Sequence, residues 1–500
     1  MPETAPIFTN HLKQKRSQTK SSERTSVQLT RNRQADMTEG NIIHQLLVFC
    51  WPLLVGNIFQ QLYNTVNAIL LGNYIGSDAL AAIGVFNPIN NLLLGLFSGI
   101  STGATVLVSQ SYGAKNNEKL NQSVLVAIWM TILGGIFISI VGETVMNPLL
   151  RMIGTPAEVF TYAVEYSRIM FFGLVTMFFY NILSGILRGM GDSIIPLLFL
   201  IFSNILNVGL LYFFIVILGT GIKGAAYGTV ISETSAGILT FIYLLRSQEK
   251  YGISIKGLKP DWQIGKQMIN IGLPAGLQTS IFSVGFLLQQ NLINSFGPTV
   301  IAAYAVVTRI DQFAMLPMNS FAVGITAFVG QNTGARKMNR TIEGIKQTLI
   351  LSQSLTIALV SILFFFGANV MALFTKDLAV VQSGKLILRT LSAGYILVNT
   401  YTVLSGAVRG VGDTVAPLLA SFICNVIIRV SLAYFLVKMT GNYQLIFVSI
   451  SFSWALASAF LGFIIKRVFG RRKYAALFKR HGGSDIMDEG VTHKLSATLN

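Results

Sequence analysis

Long apolar runs constrain the fold of this chain more than any other feature, because twelve of them follow one another along its 500 residues. Residues 126–142 and 355–374 are two examples, and neither contains a charged side chain. A helix of about 20 apolar residues crosses the roughly 30 Å hydrocarbon core of a bilayer and satisfies its own backbone hydrogen bonds. We therefore predict an all-α membrane protein with twelve transmembrane helices. The predicted spans lie near residues 46–72, 79–110, 123–146, 160–187, 193–218, 224–245, 267–293, 299–330, 347–374, 386–408, 414–437 and 443–465.

The placement of charge predicts the topology. A net charge of +17 could suggest a nucleic-acid partner. If the N-terminus is cytoplasmic, however, about three quarters of the Lys and Arg residues fall in the two tails and in the loops on that same side, which is the positive-inside bias. We therefore expect a multi-pass membrane protein with both termini cytoplasmic. Its surroundings are membrane lipid, and we expect no nucleic-acid partner.

The domain boundaries follow from the spans. We predict a disordered basic cytoplasmic tail at 1–41, an N-lobe of helices 1–6 at 42–246 and a cytoplasmic linker at 247–266. A C-lobe of helices 7–12 at 267–467 and a second cytoplasmic tail at 468–500 complete the chain. The first tail lacks the apolar core of a signal peptide. We expect a monomer.

An internal repeat divides the apolar runs into two halves. Residues 183–198 (LSGILRGMGDSIIPLL) recur as residues 404–419 (LSGAVRGVGDTVAPLL), 221 positions later. The same offset pairs Gln110 with Gln331 and Gly113 with Gly334. Because the offset spans an even number of helices, both halves enter the membrane in the same orientation. The sequence thus predicts two parallel six-helix lobes with a central cavity, an arrangement typical of transporters.

Each repeat carries an Arg-Gly-x-Gly-Asp junction between two helices. Its glycines suit a tight turn, and Asp192 and Asp413 are placed to cap the following helix, so we interpret the junction as structural. Pro52 and Pro274 lie early in the first helix of each half, where the lost backbone hydrogen bond permits a kink. We interpret them either as static bends or as helix hinges that move during transport.

Amide side chains recur along one face of helix 1 and in helix 7, its repeat counterpart, at depths where burying a polar group is costly. They are Asn57, Gln60, Asn64 and Asn67 in helix 1, and Gln278 and Gln289 in helix 7. Such amides can simply join helices by hydrogen bonds. Because each lobe contributes a set, they are also candidate substrate contacts in the cavity.

Asp311 in helix 8 and Glu233 in helix 6 are the clearest acids at membrane depth. A buried carboxyl group is a usual carrier of a transported proton, although a buried ion pair can be purely structural. Arg309 is two residues from Asp311 and points about 200° away on a helix, so the two are poor partners. Arg429 or water could instead be the partner of Asp311.

The sequence contains two cysteines and four histidines. Cys50 and Cys424 lie inside apolar runs, and no spacing indicates a metal site or a catalytic constellation. We therefore expect no enzymatic activity, no metal and no cofactor beyond a coupling ion.

The order of these motifs resembles the multidrug and toxic compound extrusion (MATE) family over residues 42–467. The likeness rests on the P…QxLYNxV pattern of helix 1, both LSGxxRGxGD junctions and GLPAGLQ at the start of helix 7. NSFG followed by RIDQFAMLPM is most similar to the DinF-like bacterial branch. The resemblance implies a twelve-helix fold in two lobes and a location in the bacterial plasma membrane (the inner membrane). It also implies efflux of small organic, often cationic, compounds in exchange for H⁺ or Na⁺.

The chain departs from this family at its acids. Many relatives have an Asp in helix 1 where this chain has Asn67, and an amide cannot titrate. Our hypothesis is that Asp311 carries the coupling, with Glu233 as the second candidate. One alternative function is a lipid-linked saccharide or lipid flippase of the same superfamily, which would need an Arg-rich cavity for phosphate groups. The other is a non-transporting membrane sensor, which has no need of a duplicated cavity.

Overall fold

The computed structural model describes residues 36–469, apart from residues 153, 255 and 256. Within this part of the chain, twelve helices are long and apolar enough to cross a membrane, as predicted. We label them α1 to α12: Ile42–Tyr74, Ser77–Gly113, Asn117–Met152, Ala157–Gly189, Ile194–Ile217, Gly221–Arg246, Trp262–Asn294, Pro298–Gly334, Met338–Ala372, Leu378–Val411, Val415–Thr440 and Gln444–Val468. A short helical turn, Gln248–Tyr251, lies in the linker. Most of both predicted tails lies outside the described residues.

Several helices are longer or less regular than the apolar runs suggest. α9 begins at Met338, before the predicted span, because its first turns continue into polar sequence. α5 and α11 contain π-helical turns at Tyr212–Ile217 and Ser421–Ile428. Pro52 and Pro274 lie inside α1 and α7, and both helices continue through them. A hinge at either proline therefore stays a prediction.

α1–α6 and α7–α12 form two lobes with matching internal packing. α4 packs between α2 and α6 in the first lobe, and α10 packs between α8 and α12 in the second. Single hydrogen bonds repeat as well. Thr105 Oγ1 donates to the carbonyl oxygen of Gly185 at 3.0 Å, and Thr326 Oγ1 donates to that of Gly406 at 2.9 Å. The sequence repeat is therefore a structural repeat.

The Arg-Gly-x-Gly-Asp junctions have the predicted capping role. Gly191 and Gly412 have φ of 89° and 101°, in the left-handed region that glycine tolerates. Asp192 accepts hydrogen bonds from two backbone N–H groups at the start of α5, both at 3.2 Å. Asp413 does the same for α11, both at 3.1 Å. Both junctions lie at one end of the molecule, which we call the junction end.

The two lobes meet along three pairs of helices, α2 with α7, α2 with α8 and α1 with α8, and the first contact is the most extensive. α2 and α7 touch backbone to backbone, since a Cβ added to Gly99 would overlap the backbone of Gly276. On the other side, the side chain of Cys50 packs on Gly324. The repeat makes the α2–α7 and α1–α8 pairs equivalent, yet of these two pairs only α2 and α7 lie this close along their length.

Residues 36–40, which we predicted to belong to the disordered tail, pack against α8 and α9. Met37 and Thr38 are both buried. Asn332 Nδ2 donates to Met37 O at 3.1 Å, and Lys337 Nζ donates to Thr38 O at 3.0 Å. Arg340 donates to Met37 O and to two further carbonyl oxygens of the segment. We call residues 36–40 the N-terminal strap, because polar side chains of the C-lobe hold its backbone in place.

Candidate functional site

Two glutamines join the lobes at the junction end. Gln110, near the end of α2, donates from Nε2 to the carbonyl oxygen of Gly410 in the other lobe at 3.0 Å. Gln331, its repeat counterpart near the end of α8, donates to the carbonyl oxygen of Gly189 at 2.9 Å. Both acceptors belong to the Arg-Gly-x-Gly-Asp junctions, which therefore do more than cap helices. We call this reciprocal pair of hydrogen bonds the junction seal.

Backbone contact surrounds the junction seal. A Cβ added to Gly113 would overlap the carbonyl group of Gln331, and one added to Gly334 would overlap that of Gln110. The Gln331 side chain is fully buried, and its Oε1 accepts the N–H of Met37 at 2.9 Å. The N-terminal strap thus holds the same amide that bridges the lobes. The sequence pairs these glutamines and glycines in the repeat, and that pairing is the signal that could have identified them.

Amide side chains of α1 contact the other lobe. Asn57 Nδ2 donates to Ser320 Oγ of α8 at 3.0 Å. Nearer the other end of the molecule, Gln61 Nε2 donates to Gln312 Oε1 of α8 at 3.1 Å. These contacts join side chains and not backbones, so a small separation of α1 and α8 breaks them.

Gln60 is half-buried and Asn64 is exposed on the same helix. Neither side chain forms a hydrogen bond with the described residues, whereas Asn57 is already engaged. Their amides can therefore donate to and accept from a molecule between the lobes without first losing a protein partner.

The amides of α7 lie inside the C-lobe and do not join the α1 set. Gln278 is buried and donates to the hydroxyl of Tyr401 at 2.8 Å and to Ser405 Oγ at 3.3 Å. Gln289 is also buried and donates to the carbonyl oxygen of Ile446 at 3.4 Å. The glycine face of α7 packs on α2, and a residue two positions from Gly276 points away from that contact. These amides join α7 to α10 and α12.

Asp311 lies in the C-lobe beside two polar side chains that sequence analysis could not place. Its Oδ1 accepts a hydrogen bond from the hydroxyl of Tyr395 on α10, which is fully buried. Arg429 of α11 acts on the carboxyl group electrostatically, without forming an ion pair. Arg309 is exposed and forms no ion pair with it, as the spacing predicts. The carboxyl group can gain or lose a proton beside a hydroxyl donor and a fixed cation.

Glu233 lies in the N-lobe, so the structure does not bring the two acids together. It is half-buried and has no hydrogen bond or ion pair with the described residues. It acts electrostatically on Tyr63 of α1 and Tyr180 of α4. Asn67 lies beside Tyr63, and its Oδ1 has no hydrogen-bond partner. In the described part of the chain, no group of His, Cys, Asp or Glu could hold a metal ion.

Two relatives match most of this chain in sequence. The "Probable multidrug resistance protein YpnP" of Bacillus subtilis (strain 168) is 29% identical over 445 residues, which cover 89% of this chain and 98% of the relative. The "Probable multidrug resistance protein YoeA" of the same organism is 28% identical over 409 residues, which cover 80% of this chain and 88% of the relative.

The fold matches a solved structure described as MATE in the bent conformation. The TM-score is 0.82 at 23% sequence identity, and the match covers 90% of this chain and 99% of that one. A model of the MatE family matches residues 52–213 and again residues 274–435. The two matches fall one in each lobe, as the internal repeat requires, and together they cover more than half of the chain. This chain therefore belongs to the multidrug and toxic compound extrusion family of multi-pass membrane transporters, which are not enzymes.

Proposed function

We propose that this chain is a secondary active multidrug efflux transporter of the bacterial plasma membrane. It exchanges small organic, often cationic, compounds for H⁺ or Na⁺ by alternating access. The junction seal carries this proposal, because two equivalent bonds close one end of the interface between two homologous lobes. Rocking of one lobe against the other can break both bonds together.

The positive-inside bias assigns the junction end to the cytoplasm, with both termini on that side. The basic linker and the N-terminal strap lie at this end. The conformation described here is then closed to the cytoplasm, and substrate leaves towards the opposite face.

We place substrate contacts on α1. Asn57, Gln60 and Asn64 face the interface between the lobes, and two of the three have free amides. Gln278 and Gln289 form hydrogen bonds within the C-lobe, so we propose that they stabilise this lobe and do not contact substrate. The names of the relatives, which are multidrug resistance proteins, support a broad range of substrates.

We assign cation coupling to Asp311, with Glu233 as a second site. We take the coupling cation at Asp311 to be a proton, because a carboxyl group beside the Tyr395 hydroxyl can bind and release one without further oxygen ligands. Asn67 lies in the same lobe as Glu233 and can position Tyr63, but it cannot carry a proton.

Export of a dye into the lumen of inverted vesicles, with proton and sodium gradients imposed separately, tests the proposal. We expect efflux to follow the proton gradient, to be lost in Asp311→Asn and to be reduced in Glu233→Gln. Glu165→Gln is the matched control, because Glu165 forms an exposed ion pair with Lys223. Full pH-gradient-dependent efflux by Asp311→Asn would disprove the assignment of coupling. If no gradient moved any cationic dye, the flippase alternative would replace the efflux function.

A further inference from the structure

Arg429 is a buried cation whose hydrogen-bond donors have no acceptor. Its side chain is 1% exposed, and none of Nε, Nη1 and Nη2 has a hydrogen-bond partner. No described carboxylate forms an ion pair with it. Its guanidinium carbon lies 5.3 Å from the ring centroid of Phe286 and 5.9 Å from that of Trp454. Aromatic faces compensate only part of the hydration that a buried guanidinium loses.

Two further donors near Arg429 also have no acceptor. They are Nε1 of Trp454 and Nδ2 of Asn425, and both side chains are buried. Asn425 precedes Arg429 by about one turn of α11, and Ser453, next to Trp454, donates to Asn425 Oδ1 at 3.5 Å. The π-helical turn of α11 ends immediately before Arg429, and such turns are frequent at functional sites. α11 and α12 therefore present three kinds of N–H donor in one region.

Asp311 does not satisfy these donors. It is the carboxylate that acts on Arg429 electrostatically, but its Oδ1 is engaged by Tyr395 and it forms no ion pair with the guanidinium. An unsatisfied buried donor is rare in proteins, and several together indicate an acceptor ligand.

The N-lobe has different chemistry at the equivalent place. At the offset of 222 residues that pairs Pro52 with Pro274, Asn207 corresponds to Arg429. The N-lobe therefore has a neutral amide where the C-lobe has a buried guanidinium.

We propose that Arg429, Trp454 and Asn425 form an anion-binding site inside the C-lobe, which takes a monovalent anion with the chemistry of a halide or a carboxylate. A free halide ion and the carboxylate group of an organic substrate share this chemistry. In the second case the inference deepens the proposed function, since carboxylate-bearing zwitterions would join the substrates. Only the transport of such zwitterions rests on the proposed efflux function, and anion binding itself does not.

The tryptophans of this protein allow a direct test. Trp454 is 4% exposed, whereas Trp51, Trp129 and Trp262 are 66%, 42% and 54% exposed. Changing those three to Phe leaves Trp454 as the reporter. Iodide, a fluorescence quencher, is titrated into the purified full-length protein in detergent at constant ionic strength. We expect saturable quenching that chloride or acetate reverses. Reversal by chloride alone assigns a free ion to the site, and reversal by acetate assigns a carboxylate.

Arg429→Gln should weaken iodide binding by about tenfold or more, because charge-assisted hydrogen bonds are lost. Arg429→Lys should keep part of the affinity, and Asp311→Asn should bind iodide at least as tightly as the parent, because a negative charge that acts on Arg429 is removed. Linear quenching of equal slope in the parent and in Arg429→Gln would overturn the proposal. If Arg429→Gln does not fold, failure of both chloride and acetate to displace iodide from the parent overturns it instead. No gradient is involved, so failure here is distinct from failure of efflux in vesicles.

Discussion

The junction seal predicts how strongly the closed end of this transporter is held. Gln110→Ala and Gln331→Ala each remove one hydrogen bond between the lobes, of 3.0 Å and 2.9 Å. The acceptors are backbone carbonyl oxygens. In the variants they have no donor in the closed state, whereas water can donate to them once the lobes separate. Both substitutions should therefore shift the protein towards opening at the junction end.

The magnitude follows from the bonds that are lost. A hydrogen bond within a protein contributes about 1 kcal/mol net, so the double variant destabilises the closed state by about 2 kcal/mol. That corresponds to a change of about 30-fold in the ratio of open to closed molecules. Gln331→Ala should have the larger single effect, because Gln331 also accepts the N–H of Met37 at 2.9 Å.

Spin labels placed on both lobes measure this ratio by double electron–electron resonance. Glu118 and Glu343 are exposed near the starts of α3 and α9, and each can be changed to Cys. The two native cysteines are buried and can be replaced by Ala. Gln290→Ala is the matched control, because the Gln290 amide bonds only to Asn294 of its own helix, at 2.8 Å. An unchanged distance distribution in the double variant, or an equal shift in the control, would refute the reasoning.

Three further substitutions test other parts of the structure. Met37→Pro removes the N–H that donates to Gln331. The same spin labels should therefore report a shift of about 1 kcal/mol towards opening. An unchanged ratio of open to closed molecules would show that the N-terminal strap does not stabilise the junction seal. Gly276→Leu forces a side chain into the backbone of α2, so the yield of monodisperse protein should fall, whereas Gly462→Ala meets no neighbouring atom and should preserve it. Gln278→Leu should lower the thermal unfolding midpoint, because a hydrogen bond to Tyr401 is lost. A changed dye affinity in this variant would show instead that Gln278 contacts substrate.

The architecture could be predicted because its causes are local in sequence. Apolar length determines how many helices cross a membrane, and the 221-residue repeat determines how the halves are related. Helix ends were less predictable. α9 begins at Met338, and residues 36–40 are held by Asn332, Lys337 and Arg340. Contacts between distant polar residues decide these ends, and hydropathy does not record them.

For the candidate site, the sequence predicts only how deep each residue lies in the membrane, and not which residues contact each other. A membrane position can be assigned to Asp311 from the sequence, but its partner Tyr395 lies 84 residues further along the chain. Which residues meet depends on the rotation of each helix about its axis, and packing decides that rotation. α7 shows this, since close contact of Gly276 with α2 turns Gln278 into the C-lobe and away from the α1 amides. Spacing on one helix cannot reveal such a contact on another.

The two halves agree at the junction seal and differ at ionisable positions inside each lobe, and this division separates motion from chemistry. Gln110 and Gln331 are identical and form equivalent bonds, as rocking of homologous lobes requires. At the offset of 221 residues, Asn90 corresponds to Asp311, so equivalent positions carry different charges. Substitutions in the junction seal should therefore change how often the junction end opens without changing which cation drives efflux. Asp311→Asn should abolish proton-driven efflux without changing how often the junction end opens, and a seal variant that altered cation preference would contradict this separation.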